Sequence, residues 1–223
     1  MELVTAFVPL KGHSSRVPGK NLRDFNGRPL FHVVLETLLA SDAVNGVYID
    51  TDSDEIARSA TSLDGVTVLR REKHLEGDDV SVNLLIKSFL TRVPEAEHVI
   101  QTHATNPLLR ASTIDAAVGT YFDDAFDDSL FAVTRHQARF YDRDMHAINH
   151  DPTELLPTQG LDPLYLENSN FYIFSRDSFH LHGRRIGDHP AMFEMDPMEA
   201  IDIDEERDFS LSLALLSAIG STP

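Results

Sequence analysis

The chain reads as an α/β fold, Rossmann-like, with a mostly parallel sheet sandwiched by helices. Two observations predict it. Short apolar runs of strand length alternate with amphipathic stretches of helical period, the pattern of strands joined by covering helices. The chain has 223 residues, 42% of them hydrophobic, which suffices for one sizeable core, so residues 1–223 are read as one domain.

The elements follow in order. Val4 to Val8 is a first buried strand. Leu30, Val33, Val34 and Leu38 recur at helical spacing, with Pro29 suited to a first helical turn. Gly46 to Asp50 is a second strand, and Ser53-Asp54-Glu55-Ile56 an acidic helix start. Val66 to Leu69 is a third strand, and Val82, Leu85, Ile86 and Phe89 mark a helix face. His98 to Thr102 is a fourth strand, followed by a loop through Pro107 and a helix from near Ser112. Leu130 to Thr134 is a further strand. Residues from about 135 to 167 lose the alternation and form a long loop or small excursion. Asn170 to Phe174 resumes strand character, Ala200 to Asp204 is a final short strand, and Glu205 to Ala218 a closing helix.

Composition excludes several functions. The formal net charge of -17 disfavours nucleic acid and anionic membrane as partners, because both are polyanions. That acidity fits either a salt-adapted or GC-rich source or an ordinary acidic surface. No run of about 18 apolar residues occurs, so no membrane span is expected. Met1 to Thr5 lacks the basic-then-apolar pattern of a secretory signal. With no cysteine, disulfides, thiolate metal sites and cysteine nucleophiles are excluded, and a cytoplasmic protein is the simple reading.

Ligands of open α/β sheets bind beyond the carboxyl ends of the strands. The loop after the first strand gathers Lys11, Arg16 and Lys20 in an acidic protein whose only other lysines are Lys73 and Lys87. Gathering cations costs self-repulsion unless an anion joins them. Gly12 and Gly19 let backbone approach closely and present amides, Ser14 and Ser15 add hydroxyls, and Asn21 can bond a ribose hydroxyl or a phosphate. The set suits a triphosphate. A solvated basic loop of ordinary turn residues fits too. The glycine spacings of a Walker A loop and of a dinucleotide fingerprint are both absent.

Near the other end, Asp202 and Asp204 project from one face of the expected strand, about 6–7 Å apart at strand rise. Two such carboxylates repel unless a cation joins them. Mg²⁺, which takes a few carboxylates plus phosphate oxygens and water, fits that need. Alternatively, Asp204 caps the closing helix; that accounts for Asp204 but not for Asp202. In the loop after strand four, His103 stands at the strand's carboxyl end, which favours a site role. Thr105, Asn106 and Pro107 fit either a site or a turn that caps the next helix.

These segments, taken in order, resemble the acylneuraminate cytidylyltransferases, a family of sugar nucleotidyltransferases. That family follows its first strand with Pro-Ala-Arg-Gly-Gly-Ser-Lys and then Pro-x-Lys-Asn. Here stand Pro9-Leu10-Lys11-Gly12-His13-Ser14-Ser15 and Pro18-Gly19-Lys20-Asn21, with Lys11 for the Arg, Ser15 for the Lys, and Arg16 beside it. Gly27-Arg28-Pro29-Leu30 is similar to its Gly-Lys-Pro-Leu, and Thr51-Asp52-Ser53-Asp54-Glu55-Ile56 to its Thr-Asp-x-Glu-x-Ile. Arg71, Leu75 and Asp78 match its Arg-Pro-x-x-Leu-Ala-x-Asp without the Pro and Ala. His103 to Arg110 is similar to its Gln-Pro-Thr-Ser-Pro-Leu-x-Arg, with His103 in the place of the Gln. Tyr165 to Tyr172 is similar to a segment ending Asn-Gly-x-Phe/Ile-Tyr, with Asn168 as the Asn and Ser169 for the Gly.

The resemblance implies a nucleotide-diphospho-sugar transferase type of fold with a small dimerisation excursion, and a homodimer. It implies transfer of CMP from CTP to an acidic nonulosonic, sialic acid-like sugar: the anomeric hydroxyl attacks the α-phosphorus and pyrophosphate leaves. Lys11, Gly12, Ser14, Arg16, Lys20, Asn21, Arg71 and Thr105 would bind nucleotide. His103, Asn106, Tyr165 and Asn168 would contact the sugar. Asp202 and Asp204 would hold Mg²⁺ and, with Lys11 and Lys20, carry the chemistry. At His103 a neutral ring can donate and accept, whereas a charged one would favour an acidic sugar. Two other readings stay open: a nucleotidyltransferase for ketodeoxyoctonate or a sugar phosphate, and a non-catalytic nucleotide-binding relative.

Overall fold

The computed structural model describes residues 2–14, 16–123 and 128–219, Ile219 by its backbone alone. Ser15, part of the basic loop, lies outside the described residues. The strands are β1 (Val4–Leu10), β2 (Val44–Thr51), β3 (Val66–Arg70), β4 (His98–Thr102), β5 (Ser129–His136), β6 (Leu164–Ser175) and β7 (Pro190–Glu194). The helices are α1 (Leu30–Leu39), α2 (Asp54–Ala60), α3 (Val82–Arg92), α4 (Ala111–Asp123), α5 (Arg176–His182) and α6 (Glu206–Ile219).

Local chemistry sets several of these boundaries. Ser53 caps α2 by accepting from the Ile56 amide at 3.3 Å, with Asp54 and Glu55 at the positive helix end. Ser175 ends β6 and caps α5 by accepting from the Ser178 amide at 3.0 Å. Gly183, at φ 68°, closes α5 in the left-handed conformation that favours glycine.

The strands form one sheet in the order β3-β2-β1-β4-β6-β5-β7. Only β6 runs against its neighbours β4 and β5; the other pairings are parallel. Side-chain alternation divides the core between the two faces. Val4, Ala6, Val8 and Leu10 pack with α1, α2 and α4 on one face. Phe7, Tyr172 and Phe174 pack with α3 and α5 on the other, where Phe7 stacks on Phe89 at 4.4 Å. A third cluster, of Phe25, Leu30, Val33, Ile203 and Phe209, holds α6 and the segment before it against α1.

Three expectations are corrected. Residues 200–204 are not a strand: Ala200 closes a turn, its amide donating to the Asp196 carbonyl, and 201–204 have no ladder partners. The irregular segment spans 137–163, narrower than about 135–167, because β5 continues to His136 and pairs with β6 from Leu164. Between β6 and the closing helix lie α5 and β7, neither of which the sequence pattern marks. β7 sits at the sheet edge beyond β5, where its side chains alternate between exposed and part-buried, and it opens with Pro190. Among the described residues no helix is long and apolar enough to cross a membrane.

Candidate active site

The chain leaves β1 towards β2 along one face and reaches β4 through α3 on the other, so a crevice opens at the carboxyl ends of β1 and β4. A cleft of about 240 Å³ occupies it. Lys11, Ser14, Arg16, Lys20 and Asn21 line it from the loop after β1, and His103 and Thr105 from the loop after β4.

The acidic segment after β7 is anchored beside this cleft. The Ile203 amide donates to the Thr105 carbonyl at 2.8 Å, and Asn106 Nδ2 to the Ile201 carbonyl at 3.3 Å. Asn170 Nδ2 donates to the Glu199 carbonyl at 3.0 Å. The buried Glu199 carboxylate accepts from the Arg110 amide at 3.1 Å and from Thr113 Oγ1 at 2.8 Å, locking the segment onto the start of α4. These bonds, in place of a strand ladder, hold 201–204 in place.

Cations and carboxylates meet here. Arg16 Nη2 lies 2.6 Å from Asp204 Oδ1. Lys20 Nζ donates to the Ile203 carbonyl, between the two aspartates in sequence. Burial lowers the Lys20 pKa, and the charges of Asp202 and Asp204 oppose that shift. Burial pushes the Asp202 carboxyl above the usual aspartate range; the Thr105 side chain pulls it back, the Asp204 charge adds to the rise, and Lys20 opposes it. Asp202 Oδ1 is buried without a hydrogen-bond partner. Such an orphaned carboxylate oxygen fits a cation ligand. No group of three or more His, Cys, Asp or Glu able to hold a metal occurs among the described residues.

The remaining predicted residues divide. Lys11 Nζ is paired with Asp78 Oδ1 at 3.1 Å, and His13 Nε2 lies 3.4 Å from the same carboxylate. The Gly12 amide donates to Asp52 Oδ1 at 2.7 Å, and a Cβ at Gly12 would come within 2.9 Å of Ser53 Cβ. This glycine therefore serves close approach to the end of β2, and its amide does not point into the cleft. Ser14 Oγ accepts from the Val17 amide at 3.4 Å, and Asn21 Nδ2 donates to the Lys11 carbonyl at 2.9 Å, so both shape the loop as well as line the cleft. Arg71 is buried in an ion pair with Asp50, Nε to Oδ1 at 2.5 Å, and also donates to the Leu10 and Asp50 carbonyls at 3.3 and 3.1 Å. Its Nη1 has no hydrogen-bond partner, and it lines a second cavity of about 220 Å³ with Val80, Val82 and Leu85; Pro9, Lys11 and His103 border both cavities.

Asn106 is buried and holds the acidic segment, a supporting place rather than a cleft wall. Asn168 Nδ2 donates to Thr134 Oγ1 at 3.1 Å and its Oδ1 accepts from the Asn170 amide at 3.1 Å. It thus supports the irregular backbone at Ser169 within β6, where φ is 58°. Tyr165 is exposed on β6 opposite Arg135. Neither Tyr165 nor Asn168 lines the cleft. His103 does; burial, with Arg185 and Lys20 nearby, holds its pKa down to about 4, so its ring is neutral at physiological pH.

Comparison with known proteins decides the family. A model described as cytidylyltransferase matches residues 5–216. The chain belongs to the cytidylyltransferase family. It is 30% identical over 213 residues to N-acylneuraminate cytidylyltransferase B of Danio rerio, covering 93% of this chain and 50% of that protein. It is 25% identical over 220 residues to post-translational flagellin modification protein B of Campylobacter coli, covering 95% of this chain and 94% of that protein. The chain spans about half the length of the fish cytidylyltransferases it matches. Its fold is that of a CMP:2-keto-3-deoxy-manno-octonic acid synthetase complexed with CTP, at a TM-score of 0.70 and 16% identity, covering 98% of this chain and 100% of that one.

Several residues around the site carried no assigned role in the sequence reading. Asp78, marked there only as part of a resembled motif, stands against Lys11, and Asp50 against Arg71; Glu199 anchors the acidic segment, and Gln101 and Arg185 flank His103. Asp50 carried a signal, an acid ending an apolar strand. Glu199 and Arg185 carried none, because their partners are 86 to 89 and 84 residues away.

A pH dependence follows from Asp202. Folding raises its pKa, so the folded chain holds that proton more tightly than the unfolded chain does. Stability without metal is therefore lost as pH rises from the ordinary aspartate value through the raised one. Asp202→Asn is expected to be more stable than wild type in urea at pH 7 in the presence of a chelator. The gain should shrink as the pH is lowered towards about 4, the ordinary aspartate value. A variant no more stable than wild type at pH 7 contradicts the raised pKa.

Proposed function

We propose that this protein transfers CMP from CTP to an acidic nonulosonic sugar with release of pyrophosphate. One observation carries the reading: Arg16 and Lys20 from the first loop and Asp202 and Asp204 from the last meet beside one cleft at the switch point of the sheet. The family supports the choice of nucleotide, and the names of its nonulosonic acid relatives support the choice of sugar.

The chemistry divides among the chain's own groups. Lys11, Lys20 and Arg16 present positive charge to the triphosphate, and the exposed Asp78 carboxylate beside Lys11 and His13 holds the place that phosphate oxygens take. Arg71, whose Nη1 has no hydrogen-bond partner and lies 3.8 Å from Asp52 Oδ2, lines a cavity with apolar Val80, Val82 and Leu85 and suits the acceptor edge of a cytosine ring. Asp202 and Asp204 would hold Mg²⁺, with phosphate oxygens and water completing its shell. When bound, that ion neutralises charge on the phosphates during transfer. His103 and Thr105 border the space left for the sugar hydroxyl, and positioning of that hydroxyl in line with the α-phosphorus supplies much of the remaining rate.

We also propose a homodimer in the cytoplasm. Absence of cysteine supports the compartment. The segment 137–163 supports the dimer, since it exposes Leu155 at 90% and Met145 at 83%, with Tyr141, Ile148 and Leu156 each more than half exposed.

Incubation with each nucleoside triphosphate, Mg²⁺ and a panel of nonulosonic acids, ketodeoxyoctonate and sugar phosphates should release pyrophosphate with CTP and a nonulosonic acid. Asp202→Asn and Asp204→Asn should each lower kcat by roughly 100-fold or more. Wild-type turnover in both variants refutes the metal assignment. Release only with ketodeoxyoctonate or a sugar phosphate overturns the sugar, and retained CTP binding without turnover on any sugar overturns the enzyme reading.

Light scattering should give twice the chain mass for wild type, and Leu155→Glu combined with Met145→Glu should give the monomer. A monomeric wild type rules out the dimer.

A further inference from the structure

Gln101, Tyr172 and the part-buried Arg185 form a cluster on the α3 face of the sheet, next to the cleft. Gln101 and Tyr172 are cross-strand partners on β4 and β6, and both are fully buried. The Arg185 guanidinium lies over the Tyr172 ring, 3.4 Å from its centroid, and its Nη1 donates to Gln101 Oε1 at 2.5 Å. The Tyr172 hydroxyl in turn contacts Glu167 and Ser169, and Arg185 Nη2 lies 4.0 Å from Glu167. Arg185 comes from the link between α5 and β7 and has no part in the nucleotide-binding set above.

The donors and acceptors in this cluster allow one arrangement. A guanidinium only donates, so Gln101 must turn its oxygen to Arg185. A carbonyl only accepts, and Gln101 Nε2 lies 3.0 Å from the Thr102 carbonyl, which demands the same orientation. The second hydrogen on Gln101 Nε2 then points at His103 Nε2, 3.3 Å away. That ring nitrogen must carry a lone pair, which leaves the ring proton on Nδ1. A proton on Nε2 would set two donors against each other. The charged groups around the ring, Arg185 and Lys20, also oppose an imidazolium.

We propose that Arg185 is a positioning residue: acting through Gln101, it fixes His103 as the neutral tautomer protonated on Nδ1, so that the chain meets its sugar with an uncharged N–H donor. The sugar contact rests on the reading of the cleft as a site of nucleotidyl transfer; the tautomer does not. His103 thereby supplies a hydrogen bond to a hydroxyl or carboxylate oxygen, not a charge.

Nitrogen-15 spectra of histidine-labelled protein without ligands test the tautomer directly, with His103→Gln used to assign the resonance. Wild type should show His103 protonated on Nδ1 and bare on Nε2 across the neutral pH range. Gln101→Glu, which can only accept, should move the proton to Nε2. Arg185→Met should mix the tautomers and raise KM for the sugar by about three- to tenfold, the factor one hydrogen bond carries, with KM for CTP unchanged. In a His103→Gln background, which has no tautomer to set, Arg185→Met should leave the sugar KM alone; a merely structural role would still raise it. An imidazolium or an Nε2-protonated ring in wild type overturns the proposal, as does an equal effect of Arg185→Met in both backgrounds. Should Arg185→Met not fold, the wild-type and Gln101→Glu spectra decide. Lack of turnover with every sugar would sink the proposed function while the spectra still judge the tautomer.

Discussion

Two carboxylates cannot stand side by side, part-buried, without a cation, and clustered cations cannot stand together without an anion. In this chain each group answers the other. Arg16 and Lys20 reach the segment carrying Asp202 and Asp204, and Lys11 is held by Asp78. The sheet topology makes the meeting possible. The loops after β1 and β4 emerge on either side of the switch point, and the segment after β7 is laid across them. Since β6 runs against its neighbours, β7 can run with the majority and deliver its following segment to that same end of the sheet.

Rigidity at this place comes from backbone anchoring. Thr105, Asn106 and Asn170 each bond the main chain between Glu199 and Ile203, and buried Ile203 packs with Phe25 and Phe209 behind it. The aspartates are therefore placed before any ligand arrives, the condition for electrostatic preorganisation. Asp202 bears the strain of that placement, with one oxygen buried and unpartnered and its pKa raised. A site that is costly without its ligand is where perturbed carboxylates are expected.

Much of this was legible in the sequence, for physical reasons. Parallel strands buried on both faces appear as continuous apolar runs, as in Val4 to Val8, and acidic helix starts such as Ser53-Asp54-Glu55 announce themselves. β7 was not legible, because an edge strand with alternating exposure and a leading proline has no such run. Ile201-Asp202-Ile203-Asp204 alternates like a strand, yet its bonds go to the Thr105 carbonyl and the Asn106 side chain instead of a ladder. The sequence marked the acidic pair and misread the local structure that holds it. Tyr165 and Asn168 were marked by resemblance, but the irregular backbone at Ser169 within β6 uses Asn168 for support. Arg185 was beyond reach, because its place is set by a contact 84 residues away.

The most direct test of a shared cleft for cations, carboxylates and nucleotide is a crystal grown with Mn²⁺ and a non-hydrolysable CTP analogue, read by the anomalous signal of the metal. The account predicts a metal peak within coordination distance of Asp202 and Asp204, with the triphosphate running past Lys20 and Lys11 and the base beside Arg71. A nucleotide bound away from the carboxyl ends of β1 and β4, or a metal held without either aspartate, would contradict it.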